Sequence, residues 1–319
     1  DKLAAVRDEI GAPADTPLVV ADASDPASLD AMAARARCII STVGPYQLYG
    51  GDLVAACAKQ GTDYVDLCGE PLWMRDMIAT HQDAAKASGA RIVFSCGFDS
   101  IPFDLGVFYL QDAAREKLGA ACSRVRGRVR AMNGEFSGGT AASLGATMER
   151  IKGEPELLQA LVAPFSLAGG FRGPEQPADN KPYEDELLGQ WVTPFIMATI
   201  NSKNIHRSNA LLGHPYGEDF RYDEMMLTGP GEQGKAAAEY VAKADPLGGE
   251  NAPKPGEGPS KEAREAGNYD VLFVGTGADG QEIRASVCGD MDPGYGSTSK
   301  MIAESAVCLV TACDDLPGG

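Results

Sequence analysis

Short β-branched apolar runs alternate with amphipathic stripes from residue 18 to residue 118, and this alternation constrains the fold more than any other feature of the sequence. Residues 18–21, 38–43, 64–67 and 91–94 read as strands buried on both faces, because apolar residues fill them and turn residues bound them. Between them Leu29, Met32, Ala33 and Ala36 fall on one helical stripe, as do Leu53, Val54, Cys57 and Ala58, and as do Met74, Met77, Ile78, His81 and Ala85. Parallel strands joined by crossover helices follow from this order, and right-handed crossovers make a doubly wound sheet. Ligands in such sheets bind beyond the carboxyl ends of the strands. The informative residues are therefore 22–24, 41–46, 68–70 and 95–100.

A chain of 319 residues is long enough for two cores. After a helix over residues 102–118 the pattern changes, which puts a boundary near Gly119. Residues 123–132 alternate as a half-exposed strand would, and Gly138-Gly139-Thr140 opens another helix. Segments 164–185 and 245–268 are rich in Pro, Gly and charge and read as surface loops. Residues 269–274 and 282–287 form a hairpin around Asp279-Gly280, and residues 297–312 form a largely apolar, buried helix. The second region is expected to be an antiparallel sheet with helices on one side. The fold class is α/β, a doubly wound parallel sheet followed by a second α+β domain.

A net charge of −17 disfavours nucleic acid or an anionic membrane surface as partner, since either would need a cationic face. No apolar run approaches the roughly 20 residues that cross a bilayer. The eight cysteines include no C-x-x-C pair, so reduced and mostly buried thiols are expected, which points to the cytoplasm. His81 lies on an apolar stripe, and His206 and His214 lack ligand spacing, so no metal is expected. The first residues carry no targeting pattern and the start reads as truncated.

Gly275-Thr276-Gly277-Ala278-Asp279-Gly280 matches G-x-G-x-x-G, but a dinucleotide loop needs a helix directly after it, and residues from Gln281 onward alternate like a return strand. A hairpin is the better reading, so a glycine loop is expected upstream of Asp1. The turn over residues 41–46 is more specific: Gly44 allows close backbone approach, Pro45 stiffens the turn, and Tyr46 offers a flat face with a hydroxyl. Such a turn suits a nicotinamide and its ribose, and an ordinary strand-to-helix turn remains open beside it. Asp22 is placed for an adenine or ribose edge, since Asp25 can cap the following helix by itself. Asp99 and Asp104 flank a helix start, where capping explains both, while Asp99 is also a candidate for proton transfer. Cys68 and Cys96 read as packing residues.

The motif series has an identifiable pattern. Residues 41–46 with Tyr49-Gly50, then Tyr64-Val65-Asp66-Leu67-Cys68-Gly69-Glu70, then Cys96-Gly97-Phe98-Asp99-Ser100-Ile101-Pro102, resemble the saccharopine dehydrogenase-like oxidoreductases. Ser137-Gly138-Gly139-Thr140, Phe220-Arg221-Tyr222, Asp292-Pro293-Gly294-Tyr295, Lys300-Met301 and Glu304-Ser305-Ala306 extend the resemblance almost end to end, with most likeness to the bacterial trans-acting enoyl reductase group. The resemblance implies a Rossmann domain for NADP or NAD over residues 1–118, N-terminally truncated. It further implies an α+β substrate and dimerisation domain over 119–290 and a C-terminal segment over 291–319 that returns to the first domain. Cofactor contacts carry over onto Asp22, Thr42, Val43, Gly44, Pro45, Tyr46, Gly69, Glu70, Gly97, Phe98 and Asp99.

The activity this implies is reduction of an enoyl thioester of lipid or polyketide metabolism by NAD(P)H, in a small-molecule or acyl-thioester enzyme working as a homodimer. Tyr46, Asp99 and Tyr295 are the catalytic candidates, with the amides of Gly138-Gly139-Thr140 facing the substrate carbonyl. Two alternatives stay open: a saccharopine-type amino-acid dehydrogenase acting on a C-N bond, and a non-catalytic dinucleotide-binding scaffold. The first would need an arginine cluster for its carboxylates. Arg124, Arg126, Arg128 and Arg130 share one strand face, which reads as solvent-facing. Without a glycine loop, residues 1–319 are expected to bind cofactor weakly.

Overall fold

A computed structural model describes residues 2–134, 138–244, 258–312 and 315–319. Helices α1 (Lys2–Glu9) and α2 (Pro26–Ala33) precede β1 (Cys38–Ser41). Helices α3 (Tyr46–Tyr49) and α4 (Gly51–Gln60) lead to β2 (Asp63–Asp66), α5 (Pro71–Ser88) leads to β3 (Ile92–Val93), and α6 (Ile101–Leu118) leads out to β4 (Arg124–Asn133). There follow α7 (Gly138–Gly153), α8 (Leu157–Val162), β5 (Tyr183–Asp185), β6 (Gln190–Pro194), α9 (Ala198–Leu211), β7 (Arg221–Gly229), α10 (Gly231–Val241) and α11 (Lys261–Ala266). A hairpin of β8 (Asn268–Thr276) and β9 (Glu282–Gly289), a π turn over Pro293–Ser297, and α12 (Thr298–Ala312) complete the order.

The described residues form two sheets. The first is parallel in the order β1-β2-β3, with Ile39 opposite Tyr64 and Tyr64 opposite Ile92. This is the doubly wound arrangement expected from the alternation, with one correction. Residues 18–21 join no sheet, and Leu18 and Val20 are 42% and 87% exposed. An apolar run becomes a strand only where a neighbour's amides and carbonyls pair with it, and β1 is an edge of the described sheet.

The second sheet runs β5-β6-β7-β4-β8-β9 and is mixed, because β4 pairs with β7 in parallel while its other pairings are antiparallel. The antiparallel expectation is corrected there: β7 returns to β4 after a long excursion through α7–α9, and only tight hairpins force antiparallel neighbours. The hairpin reading of the glycine motif holds. Gly277 N donates to Gln281 O at 2.8 Å, Gly280 turns at φ +75°, and Thr276 pairs with Glu282, so a strand and not a helix follows. The expected loop over 245–268 lies outside the described residues up to 257, and 261–266 within it is helical.

Helices α6 and α9 cover one face of the second sheet, with Phe103, Val107, Leu110, Ile205, Phe220 and Phe273 at the centre. Gly106 lets α6 lie against the sheet, since a Cβ there would sit 2.3 Å from the Phe273 ring. Helix α12 packs Ile302, Ala306 and Leu309 onto Val65 and Cys96 of the first sheet region. The strand read as having a solvent face is corrected as well. Arg128 is fully buried, paired with Asp185 at 2.8 Å and Asp223 at 2.9 Å, and Arg124 also pairs with Asp223.

Candidate functional site

The parallel order of β1, β2 and β3 sets three turns side by side along one sheet edge, at strand spacings of about 4.8 Å. They are residues 42–46, 67–70 and 94–99. In the first, Thr42, Val43 and Gly44 are exposed and Pro45 is half-buried, so the backbone is open to a ligand. In the second, Gly69 is exposed, and a Cβ there would meet only Met197, at 3.8 Å.

Glu70 joins these turns. Its buried carboxylate accepts from Tyr46 N at 2.8 Å through Oε1 and from Gln47 N at 2.9 Å through Oε2, and Ser143 Oγ donates to Oε1 at 2.7 Å. Both oxygens are used within the protein, so Glu70 shapes the turn and does not reach out to a cofactor. Tyr46 is corrected in the same way. Its hydroxyl donates to Ser41 O at 3.1 Å and accepts from Leu67 N at 3.1 Å, and burial pushes its pKa above the ordinary phenol value. A phenol held by two backbone partners at 5% exposure pins β1 to β2 and is not poised to give up its proton.

Asp66 was not singled out by the sequence reading, yet it organises the site. Its Oδ1 accepts from Cys68 N at 3.0 Å and Ser95 N at 2.8 Å, and its Oδ2 accepts from the Tyr64 hydroxyl at 3.0 Å. Burial raises its pKa to about 7, against the pull of the two amides. The signal was present: a carboxylate ending an apolar, doubly buried strand needs donors from the turns beyond it.

In the third turn, a Cβ on Gly97 would lie 3.1 Å from Leu67 Cδ2 and 3.2 Å from Thr298 Cγ2, and Phe98 N donates to Thr298 Oγ1 at 3.0 Å. Gly97 thus eases the close docking of α12, where a side chain would press on Leu67 and Thr298. The Phe98 side chain belongs to the core, 4.7 Å from the ring of Tyr269 and 5.6 Å from that of Phe103. Asp99 differs from its neighbours: half-buried, its carboxylate has no hydrogen bond or ion pair among the described residues, and burial pushes its pKa up to about 6. Asp104 is held by Ser208 Oγ at 2.7 Å and is likewise raised by burial to about 6.

Two predicted residues belong to other segments than these turns. Asp22 is exposed, and its Oδ1 accepts from Ser24 N at 2.8 Å and Ser24 Oγ at 2.7 Å, contacts that lower its pKa, the amide first. Asp25 does cap α2, through Ala27 N at 3.0 Å. Tyr295 sits on the π turn before α12, its amide donating to Asp292 Oδ2 at 2.8 Å and its ring against Gly258, where a Cβ would lie 2.7 Å from Cζ. The Gly138-Gly139-Thr140 start of α7 is described, while Ser137 before it lies outside the described residues.

Residues 1–93 match the saccharopine dehydrogenase NADP-binding domain family. A Mycobacterium tuberculosis protein provisionally named a trans-acting enoyl reductase is 40% identical over 342 residues, spanning 99% of this chain and 81% of that protein. The trans-acting enoyl reductase of Mycobacterium ulcerans is 38% identical, over 99% of this chain and 81% of its own. This chain belongs to that family.

It is accordingly a saccharopine dehydrogenase-like, NAD(P)-dependent oxidoreductase. Among solved structures, an amine dehydrogenase from Mycobacterium smegmatis superposes with a TM-score of 0.46 at 16% identity, over 98% of this chain and 82% of that one. The turns fit a nicotinamide cofactor: Gly44 and Gly69 leave open backbone where a side chain would stand, and Thr42 and Val43 border them at the surface. Among the described residues no helix is long and apolar enough to cross a membrane.

Proposed function

We propose that this oxidoreductase reduces the carbon-carbon double bond of an enoyl thioester of lipid or polyketide type. NADPH or NADH, when bound, supplies the hydride. The chain's own residues do the rest. The open backbone of residues 42–45 receives the nicotinamide, while Glu70 and the Tyr46 hydroxyl hold that turn rigid from below. Asp99 carries the reading: a half-buried carboxyl in the third turn, without a partner among the described residues and raised by burial, can hold a proton on its oxygen and deliver it to the carbon beside the one reduced. Gly69 offers an exposed backbone contact, Asp22 and Gly97 shape their turns through Ser24 and through Leu67 and Thr298, and Tyr295 is the second donor candidate.

The C-N bond alternative loses support from the arginines. Arg128 and Arg124 are spent on Asp185 and Asp223, Arg130 on Asp270, and Arg126 donates to Thr276, so that strand offers no free cluster for substrate carboxylates. The proposed organisation is a cofactor domain over 1–118, a substrate and dimerisation domain over 119–290, and a returning segment over 291–319. Buried free thiols at Cys57, Cys68, Cys96 and Cys122 accord with a reducing cytoplasm, and a homodimer is part of the same reading.

The test is NADPH oxidation by the full chain with enoyl thioesters of several lengths, beside imine-forming pairs of amino acid and keto acid. Turnover with thioesters alone is expected. Turnover with the amino-acid pairs alone would transfer the chain to the dehydrogenase reading, and oxidation with neither would leave the scaffold reading standing.

A further inference from the structure

Helix α7 presents Ser143, Thr147 and Arg150 at i, i+4 and i+7, a spacing that aligns them on one face. Each is joined to the region of the first sheet. Ser143 Oγ donates to Glu70 Oε1 at 2.7 Å, Gln47 Nε2 donates to Thr147 Oγ1 at 3.1 Å, and Arg150 Nη2 donates to Asp76 Oδ2 at 2.7 Å. The three partners on the other side flank the first turn: Gln47 follows it on α3, Glu70 accepts from the amides of Tyr46 and Gln47, and Asp76 is on the helix that Glu70 begins.

From this stripe we infer that α7 latches the cofactor turn, and that Ser143 is a positioning residue acting through Glu70. The inference rests on the reading of residues 42–46 as the nicotinamide turn. Glu70 Oε1 serves both Ser143 and the amide of Tyr46, so a change at Ser143 is felt one bond away by the turn itself. Thr147 repeats the link one helical turn later through Gln47, the residue that Glu70 Oε2 holds. The stripe therefore couples the helix following β4 to the place where the nicotinamide is seated. It ties the substrate side of the enzyme to its cofactor side by polar contacts that a substitution can cut singly.

Trp73 makes the latch measurable, because its ring lies 5.6 Å from that of Tyr46 and Trp191 is the sole other tryptophan in the sequence. In the full chain carrying Trp191→Phe, Ser143→Ala is expected to increase acrylamide quenching of Trp73 and to weaken NADPH binding about tenfold, as loss of a hydrogen bond to a charged group does. Tm should fall as well, because the buried Glu70 carboxylate loses one of its three donors, and Ser143→Thr, which keeps the hydroxyl, should restore Tm and both readouts. Thr147→Val is expected to act in the same direction, independently of Ser143. Quenching and NADPH affinity unchanged in Ser143→Ala, or no recovery in Ser143→Thr, would overturn the latch. A chain that reduces no thioester yet shows the Trp73 response retains the latch and loses only the enoyl reading.

Discussion

Asp99, Asp66 and Glu224 are raised by burial to about 6, 7 and 8, but they differ in what surrounds them. Asp66 and Glu224 are surrounded by donors: Asn201 Nδ2 at 2.7 Å and the Tyr222 hydroxyl at 2.6 Å hold Glu224, while two amides and Tyr64 hold Asp66. Asp99 has none among the described residues, so its proton is available for transfer. Asp99→Asn should lower kcat about 100-fold or more with little change in Tm, and in the unsubstituted enzyme the rate should fall as pH rises through about 6, since an acid must be protonated to act. Steady-state rates across pH would check both. Glu224 carries a stability prediction. Its folded pKa lies above the ordinary value, so its contribution is complete at low pH and is lost as pH climbs toward about 8. Tm should therefore drop by about 5 °C or more between pH 5 and pH 9. Glu224→Gln, which can accept from Asn201 and donate to Tyr222, should flatten that slope in a thermal melt.

Strand β4 shows where pattern reading fails at the level of elements. Arginines at 124, 126, 128 and 130 alternate with small and apolar residues, the usual mark of a solvent face. Asp185 and Asp223, far along the chain, turn that face into a buried ionic seam, with the Tyr183 hydroxyl 2.9 Å from Arg128. Arg128→Met leaves the buried Asp185 without its cation and Asp223 with Arg124 alone, and should cost about 3–5 kcal/mol in urea unfolding. The failed strand over 18–21 has the opposite cause, a correct apolar pattern without a pairing neighbour. By contrast α4, α5 and α6 lie almost where their stripes and Pro or Gly boundaries put them, because helix signals are local. Ser143 and Thr147 were not legible in the same way, since nothing near them in sequence shows that Glu70 and Gln47 wait across the fold.

Over the whole molecule, α12 carries the last stretch of chain back from the second sheet to the first. Ile302, Ala306 and Leu309 close a cluster on Val65 and Cys96, and Thr298 meets Phe98 at the third turn. The helix therefore links the stability of the second sheet's hairpin to that of the first sheet and its third turn. Ile302→Ala should destabilise by about 2–5 kcal/mol. The loss should be visible as weaker amide protection in β2 as well as in α12, read by hydrogen exchange, because Val65 on β2 would lose its cover.

By itself the sequence determined the parallel sheet, its crossover helices, the three glycine-bearing turns and the rejection of residues 275–280 as a nucleotide loop. All of these follow from periodicity and turn chemistry within some twenty residues. Only the tertiary structure decided which polar groups in those turns are free. Tyr46 and Glu70 are consumed by partners across the fold, Asp66 is held by two turns at once, and Asp99 has no partner among the described residues. Hydrogen-bond partners come from segments that no local pattern names, and a buried polar group is available for chemistry only when the fold has supplied it with none.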